Sequence, residues 1–596
     1  MTHKRDISFI QSLKPLGKYL ADHRRMFFFG LGCAFLTNSL GMAAPQFIKQ
    51  AINAVEAHKA ISLVMMSVVA LIVLKLVQGV FRFLMRQILI GISRKIEYKI
   101  RAELFEHLQT LPLSFYQSSR IGDIMSRATN DLNEVRTLIG PAIMYSFQTA
   151  VTVVFALPLM IYIDLKLTLL AFLPLALLTL SYKKVGTAIH DRSMEVQRKL
   201  SDISAKVQEN LAGIRVIKSF TREDNEIRQF ERLNREYLDC NMRLIKISGI
   251  LYPFMAYLGG LSSLVILGYG GVLIVRKVIT LGDFTAFFMY LGMMFWPMIS
   301  VGFVLNVIQR GRASLARIME LFLRQSEIMD TAVPAPGNSP EHPVQEMISF
   351  RNLTFTYPET DRPVLWGINL EIPRGSTLAL LGPVGSGKST LLNLIPRLYN
   401  PQRGTLLVDG IDVLDWPLAS LRRCISLVPQ DTFLFSESIR ENILYGRHQE
   451  VPEEEIIQIV KIAGLYDDLE TFPDKLDTLL GERGINLSGG QKQRASISRA
   501  LMINSSILLL DDCFSSVDSA TEEKILLSLR DFLKGKTTII VSHKISTIKF
   551  ADRIVVLEKG RITQAGTHEE LLQEAGGYYA SLYEKQLIAE KIERIS

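Results

Sequence analysis

The sequence predicts a multidomain membrane protein: an all-α domain of six transmembrane helices, then an α/β domain of the P-loop type. Three observations predict it. Six apolar stretches, each with about 20 mostly apolar residues, lie between residues 26 and 310. From Met347 onward, short apolar runs alternate with helical stretches, the pattern of a largely parallel, covered sheet. Within that second part, Gly382-Pro-Val-Gly-Ser-Gly-Lys-Ser389, followed by Thr390, fits G-x-x-x-x-G-K-[ST].

The composition agrees with a chain partly in lipid. Of 596 residues, 48% are hydrophobic and 21% charged, and the mean hydropathy is +0.21. The formal net charge is +8. Lys and Arg gather in the segments that flank the apolar spans, as the positive-inside bias expects, so no nucleic-acid partner is inferred. Cys33, Cys240, Cys424 and Cys513 have no metal-ligand spacing and read as free thiols.

Residues 1–25 are mixed and charged, without the features of a secretory signal. Ile7 to Leu20 has helical periodicity, which fits either an amphipathic helix on the cytoplasmic surface or a plain solvated helix. The transmembrane domain occupies 26–323, with spans Met26–Ile52, Ile61–Ile92, Leu138–Ile163, Leu165–Val185, Ile247–Val275 and Leu281–Gln309. Connections are short at Asn53–Ala60, Asp164 and Arg276–Thr280, and long, charged and helical at Ser93–Thr137 and Gly186–Lys246. The basic residues of the first long segment place both long segments and both termini in the cytoplasm. Each long segment carries a break: Leu111-Pro-Leu-Ser-Phe-Tyr116 before Ile121, and Ser219-Phe-Thr-Arg-Glu-Asp224. Such breaks suit short docking helices or ordinary hairpin corners. Pro45, Pro158, Pro174, Pro253 and Pro297 are candidate kinks. Arg82 and Arg86, four residues apart in the second span, share one helix face. Intramembrane charge points to substrate contact, and snorkelling at the cytoplasmic end is the other reading. Phe287, Phe288, Met289, Met293, Met294, Phe295 and Trp296 of the last span suit hydrophobic cargo and lipid-facing packing equally.

Residues 324–346, rich in Pro with Gly337, Asn338 and Ser339, read as a linker to the soluble domain at 347–596. There Ile348 to Tyr357 alternates like a strand, and Thr377–Leu381, Ile507–Asp511, Thr538–Val541 and Ile554–Leu557 are further strands. Leu582 to Ile595 reads as a solvated helix.

The chemistry follows from residue type and place. Gly382, Pro383, Val384, Gly385, Ser386, Gly387, Lys388, Ser389 and Thr390 make a turn whose N–H groups can wrap a phosphate at a helix start. Lys388 reaches the β- and γ-phosphates of ATP, and the Ser389 hydroxyl suits Mg²⁺. Ile507-Leu-Leu-Leu-Asp-Asp512 carries Asp511 to the end of a buried strand, where it can hold Mg²⁺ through water. Leu487-Ser-Gly-Gly-Gln491 opens a helix with Ser488, Gly489, Gly490 and Gln491, a second anion site. Gln430 can ligate Mg²⁺ and sense the attacking water, His543 can donate to the γ-phosphate, and Tyr357 can stack on adenine.

Together these motifs, with Ser515-Ser-Val-Asp518, resemble the nucleotide-binding domain of an ABC transporter. With six spans on its N-terminal side, the whole chain resembles an ABC exporter half-transporter, and Gly481-Glu-Arg-Gly484 is similar to the exporters' extra coupling loop. The resemblance implies an all-α six-helix transmembrane domain joined to an α/β P-loop ATPase domain, ATP and Mg²⁺ as cofactors, and coupling helices near Pro112–Ile121 and Phe220–Arg228. It implies a second half-transporter as partner, because the P-loop of one copy is closed by the signature Ser488–Gln491 of the other. It implies a multi-pass protein of the cell (inner) membrane, with the ATPase cytoplasmic, that exports or flips a hydrophobic or amphipathic drug, lipid or peptide. A membrane-anchored ATPase regulating a partner, and a homodimeric lipid flippase, are the alternatives.

One position departs from the family pattern. The general base after the Walker B Asp is usually Glu, and here it is Asp512, shorter by one carbon or about 1.5 Å. A base must lie within hydrogen-bond reach of its proton, so hydrolysis at this chain's own site is expected to be weak. With Arg136-Thr-Leu-Ile-Gly-Pro141 and Trp296-Pro297, this resembles the degenerate-site subunit of bacterial heterodimeric multidrug exporters, and implies a partner that has the Glu.

Overall fold

The computed structural model describes residues 9–593 except 59, 331–346, 359, 448, 482, 483 and 575, with backbone alone at 9–14, 175, 176, 178–187, 190, 251, 252, 255, 299 and 589–593. Two compact units form: residues 1–109 with 121–324, and residues 110–120 with 325–596. The expected linker prolines fall at 334–343, outside the described residues.

The first unit is helical. Its helices are α1 (Phe9–Ala21), α2 (Arg24–Glu56) and α3 (Ile61–Thr110); α4 (Leu113–Ser118) leaves it for the second unit. It resumes with α5 (Ile121–Ser126), α6 (Leu132–Thr137), α7 (Ile143–Ile163), α8 (Leu165–Ala212), α9 (Ile214–Ser219), α10 (Glu223–Val265), α11 (Gly271–Val275) and α12 (Leu281–Leu323). Among the described residues, five stretches are long and apolar enough to cross a bilayer: Arg24–Glu56, Ile61–Thr110, Ile121–Ile163, Ala256–Val275 and Leu281–Leu323. The sixth expected span opens α8, which is apolar over Leu165–Pro174 and continues as helix to Ala212. At 1.5 Å per residue α3 reaches about 75 Å, far beyond a bilayer core of roughly 30 Å.

Sequence periodicity does not show how these helices bend. All five candidate prolines lie inside unbroken helices. The irregular turns are π-helical, at Arg127–Asp131, Leu138–Ala142 and Ile266–Gly270. The second of these holds Gly140, where an added Cβ would stand 2.6 Å from the Ser93 hydroxyl of α3, so the extra residue per turn sits at a close helix crossing.

Packing accounts for two stretches whose role the sequence leaves open. The N-terminal helix lays its apolar side on the bundle: Leu16 is buried with Ile92, Ile96 and Leu315, and the Tyr19 hydroxyl donates to Glu103 at 2.6 Å. In α12, Phe287 and Met294 are buried in the bundle with Tyr290, whose hydroxyl donates to the Met42 carbonyl at 3.1 Å, so these two positions serve packing within the unit. Phe288 and Trp296 remain exposed. The second long segment breaks within the expected stretch, at 220–222, where Thr221 at φ 50° turns the chain into α10. The short helix lies before that break and not at Phe220–Arg228: Gly213 ends α8, α9 covers Ile214–Ser219, and residues 223–228 are long helix.

The second unit holds two sheets. One is antiparallel, ordered β2 (Leu365–Pro373), β1 (Met347–Phe355), β4 (Leu406–Val408), β5 (Ile411–Asp412). The other runs β10 (Arg561–Gly566), β9 (Arg553–Glu558), β3 (Thr377–Leu381), β8 (Thr537–Val541), β7 (Ile507–Asp511), β6 (Ile425–Val428). It is parallel from β9 to β6, with β10 antiparallel at the edge. The strands β7 and β8 are buried throughout, which is why they read as unbroken apolar runs. The expected alternating strand Ile348–Tyr357 belongs to the antiparallel sheet instead, where one face is solvated. Helix α4 docks on this unit: Leu113 packs on the core of Phe355 and Tyr399, and the Tyr399 hydroxyl donates to Gln117 at 2.5 Å. Asn400 donates to the Glu327 carbonyl at 2.7 Å, and the Leu418 N–H to Asp330 at 2.8 Å, which fixes residues 327–330 on the same body.

Candidate nucleotide site

Four loops leave the carboxyl ends of adjacent parallel strands and meet in one cleft. The P-loop follows β3, Gln430 follows β6, Asp511 and Asp512 end β7, and His543 follows β8. This is where open α/β sheets place ligands. The cleft is about 200 Å³ and is lined by Val384 to Thr390, Gln430, Asp511, Asp512 and His543, together with Val364 and Val541.

Two glycines make the P-loop possible. Gly382 has φ 150°, and a Cβ there would stand 2.0 Å from the Leu557 carbonyl oxygen. Gly387 caps the helix Lys388–Leu394 at φ 101°, in left-handed space and with no side-chain cap bond, so the first N–H groups of that helix stay open to an anion. Lys388 is buried and donates to the carbonyls of Gly382 at 2.8 Å and Pro383 at 2.9 Å. Burial lowers its pKa, against the carboxylates of Asp511 and Asp512. A triphosphate would draw the ammonium off these carbonyls.

Asp511 is buried, and its Oδ1 has no hydrogen-bond partner. Burial raises its pKa, while the nearby Ser389 hydroxyl works the other way. An orphaned carboxylate oxygen beside a hydroxyl is what a cation would complete. Burial also depresses the His543 pKa, helped by Lys388, which keeps the imidazole neutral at pH 7. The side chains of Gln430, Asp512 and His543 make no hydrogen bond or ion pair with other described residues. Asp512 holds a left-handed φ of 45°, and its N–H donates to the Val541 carbonyl at 3.0 Å, so its backbone is fixed while its carboxylate is free.

Tyr357 does not line the cleft. Its hydroxyl shares a 2.9 Å hydrogen bond with Thr390, and its ring meets Phe355 and Tyr399 edge-on at 5.1 and 5.0 Å. The signature lies apart as well. Ser488 caps the helix Gly489–Ile503 in a reciprocal box with Gln491: the Gln491 N–H donates to the Ser488 hydroxyl at 3.3 Å, and the Ser488 N–H to the Gln491 side chain at 2.9 Å. Of the Gly481–Gly484 loop, residues 482 and 483 fall outside the described residues.

Two amides were missed in the sequence. Gln493 donates to the Ser515 hydroxyl at 2.9 Å and accepts from the Ser516 N–H at 2.9 Å, holding the loop after Asp512. Gln586 donates to the His543 carbonyl at 2.7 Å and accepts from the Ile545 N–H at 2.9 Å, clamping the His543 loop. Gln586 stands on the helix Tyr578–Glu593, whose part from Leu582 onward was expected to be solvated. Buried Tyr579, bonded to His568 at 2.6 Å, and the partly buried Leu582 and Tyr583 pack that helix on the core.

Comparison with known proteins agrees with this geometry. Residues 27–298 match the family model of the ABC transporter transmembrane region, and residues 365–515 the family model described as ABC transporter. The chain is 38% identical, over 84% of itself and 84% of the relative, to a probable multidrug resistance ABC transporter ATP-binding/permease protein, YheI, of Bacillus subtilis. It is 34% identical, over 92% of each, to the multidrug resistance-like ATP-binding protein MdlA of Escherichia coli. It is 33% identical to the ATP-dependent lipid A-core flippase of Syntrophus aciditrophicus, over 97% of this chain and 95% of that one. Among solved structures, a bacterial Atm1-family ABC exporter with ATP bound superposes with a TM-score of 0.74 at 28% identity, covering 94% of this chain and 99% of that one. A helical membrane region and an α/β ATPase lie on one polypeptide, and the chain therefore belongs to the ABC transporters as an ATP-hydrolysing exporter half-transporter.

Proposed function

We propose that this chain exports or flips a hydrophobic or amphipathic substrate across the cell membrane as one half of a heterodimer, with its ATPase domain cytoplasmic. The observation that carries the heterodimer is Asp512. It lines the cleft beside Lys388 and His543 at the position of the general base, its backbone is pinned, and its side chain is about 1.5 Å shorter than a Glu. The reach cannot be recovered by moving the chain, so hydrolysis here is slow, while binding through Lys388 and the P-loop is intact. The signature helix is intact and lies away from this chain's own cleft, which suits service to a partner's nucleotide. The exposed Val216 and Phe220 around α9 suit docking on that partner.

Ser389, Gln430 and Asp511 would hold Mg²⁺, which would supply charge neutralisation to the bound nucleotide. Lys388 clamps the same phosphates, His543 donates to the γ-phosphate, and Asp512 orients water poorly. Closure of the two ATPase domains on nucleotide then biases the membrane helices between inward and outward states, since nucleotide binds the closed state better. Multidrug and lipid A-core names among the relatives support an apolar or amphipathic cargo.

The test is uptake into inside-out vesicles containing the chain and its co-expressed partner. ATP-dependent accumulation of substrate, absent with Lys388→Ala, is expected. Hydrolysis without accumulation of any probe would favour a regulatory ATPase. For topology, a cysteine at the exposed Ser118, with the four native cysteines replaced, should resist impermeant thiol reagents until lysis.

A further inference from the structure

The membrane unit contains a cavity of about 310 Å³ whose wall is cationic. Arg82 and Arg86 of α3 line it with Tyr145 and Gln148 of α7 and Met293 and Trp296 of α12. No carboxylate lines it. The six spans contain a single acidic residue, Asp283, and that one pairs with Lys49 at 2.5 Å. Neither Arg82 nor Arg86 makes a hydrogen bond or ion pair with a described residue.

Snorkelling explains a lone arginine that runs along its own helix to the interface. Here both arginines line a space between α2, α3, α7 and α12, and its other polar residues come from different helices: Asn38, Gln148, Thr149. The stripe continues upward. Gln78, one turn before Arg82, is buried and donates to the Thr37 carbonyl at 2.9 Å, and Lys75 donates to Gln78 at 3.1 Å. Lys75 stands seven residues, about 10 Å, from Arg82 along the same helix. Charge of one sign, unpaired among the described residues and beside a mixed polar and aromatic pocket, takes its counter-ion from whatever enters.

We propose that this cavity is a substrate subsite for an amphipathic anion: a phosphate or carboxylate head on Arg82 and Arg86, and an apolar body against Trp296 and the methionines. The proposal rests on the exporter reading above and narrows its substrate class. Lipophilic cations are disfavoured, because two guanidinium groups repel them.

The test uses the co-purified dimer in proteoliposomes with four fluorescent probes: a phosphatidylglycerol, a phosphatidylcholine, an amphipathic carboxylate dye that is not a lipid, and a lipophilic cation. The wild type should move an anionic probe at least tenfold faster than the neutral lipid and the cation. Transport of the lipid alone names a headgroup, and transport of the carboxylate dye names a free amphiphile. Arg82→Ala with Arg86→Ala should lower anion transport at least tenfold, and the double Lys variant should restore it to within threefold. The double Glu variant should reverse the preference toward the cation, a gain that a misfolded protein cannot show. Cation transport equal to anion transport in the wild type, or anion transport within twofold of wild type in the double Ala variant, would overturn the proposal. The second of these results would mean that a carboxylate of the partner half neutralises the pair. No ATP-dependent movement of any probe would overturn the exporter reading, and this proposal with it.

Discussion

The P-loop and the signature are both glycine-rich helix starts, and they are finished in opposite ways. At the P-loop the cap is Gly387, which has no side chain to offer, and the first N–H groups of the helix stay open. At the signature the cap is Ser488, and its box with Gln491 satisfies two of the helix's orphan donors, a device worth about 1 kcal/mol. Gln491 and Arg494 are further tied to Asp468 at 2.8 and 2.6 Å. The P-loop is therefore a cradle completed by its ligand. The signature is a surface whose shape is set before any ligand arrives, which suits a part offered to a neighbour.

That contrast can be broken at either end. The largest effect is expected from Lys388→Ala. A charge-assisted hydrogen bond contributes about 1.5–3 kcal/mol, so nucleotide affinity at this chain's P-loop should fall roughly ten- to a hundredfold, read by equilibrium binding of a fluorescent ATP analogue. Next is Ser488→Ala, which should leave that affinity within about twofold while lowering turnover of the dimer by about tenfold, less than the roughly hundredfold or more that loss of an oxyanion-hole donor costs. Equal loss of binding at this chain's own P-loop would erase the distinction. The smallest effect is expected from Gln586→Ala. Losing two neutral hydrogen bonds to the His543 loop removes on the order of 1 kcal/mol, so nucleotide release should quicken about fivefold, measured by stopped flow, with the fold unchanged by circular dichroism.

How much was legible in the sequence follows the same division. Lys388, Ser389, Gln430, Asp511, Asp512 and His543 could be found because phosphate and metal chemistry accepts few residue types, and each follows an apolar strand. The structure brings all six to one cleft. Gln493 and Gln586 could not be found, since an amide that bonds a backbone loop has no required spacing or neighbour. The membrane spans were legible from length and hydropathy, whereas the π-turns at Arg127, Leu138 and Ile266 were not; the one at Leu138 answers to the close crossing of Gly140 on Ser93, which sequence periodicity does not show. The packing of Leu16 and Leu582 was not legible because a terminal helix with one short apolar stripe looks the same whether it packs or not.

The central claim is that this chain binds ATP well and hydrolyses it poorly, and becomes part of a fast enzyme only beside a partner with Glu at the base position. The direct measurement is steady-state ATP turnover by the purified chain alone and by the chain co-purified with its neighbouring half-transporter. Slow turnover alone, raised at least tenfold by Asp512→Glu, and fast turnover in the pair that disappears when the partner's base is removed, are expected. Fast turnover by the chain alone, unaffected by Asp512→Ala, would contradict the account.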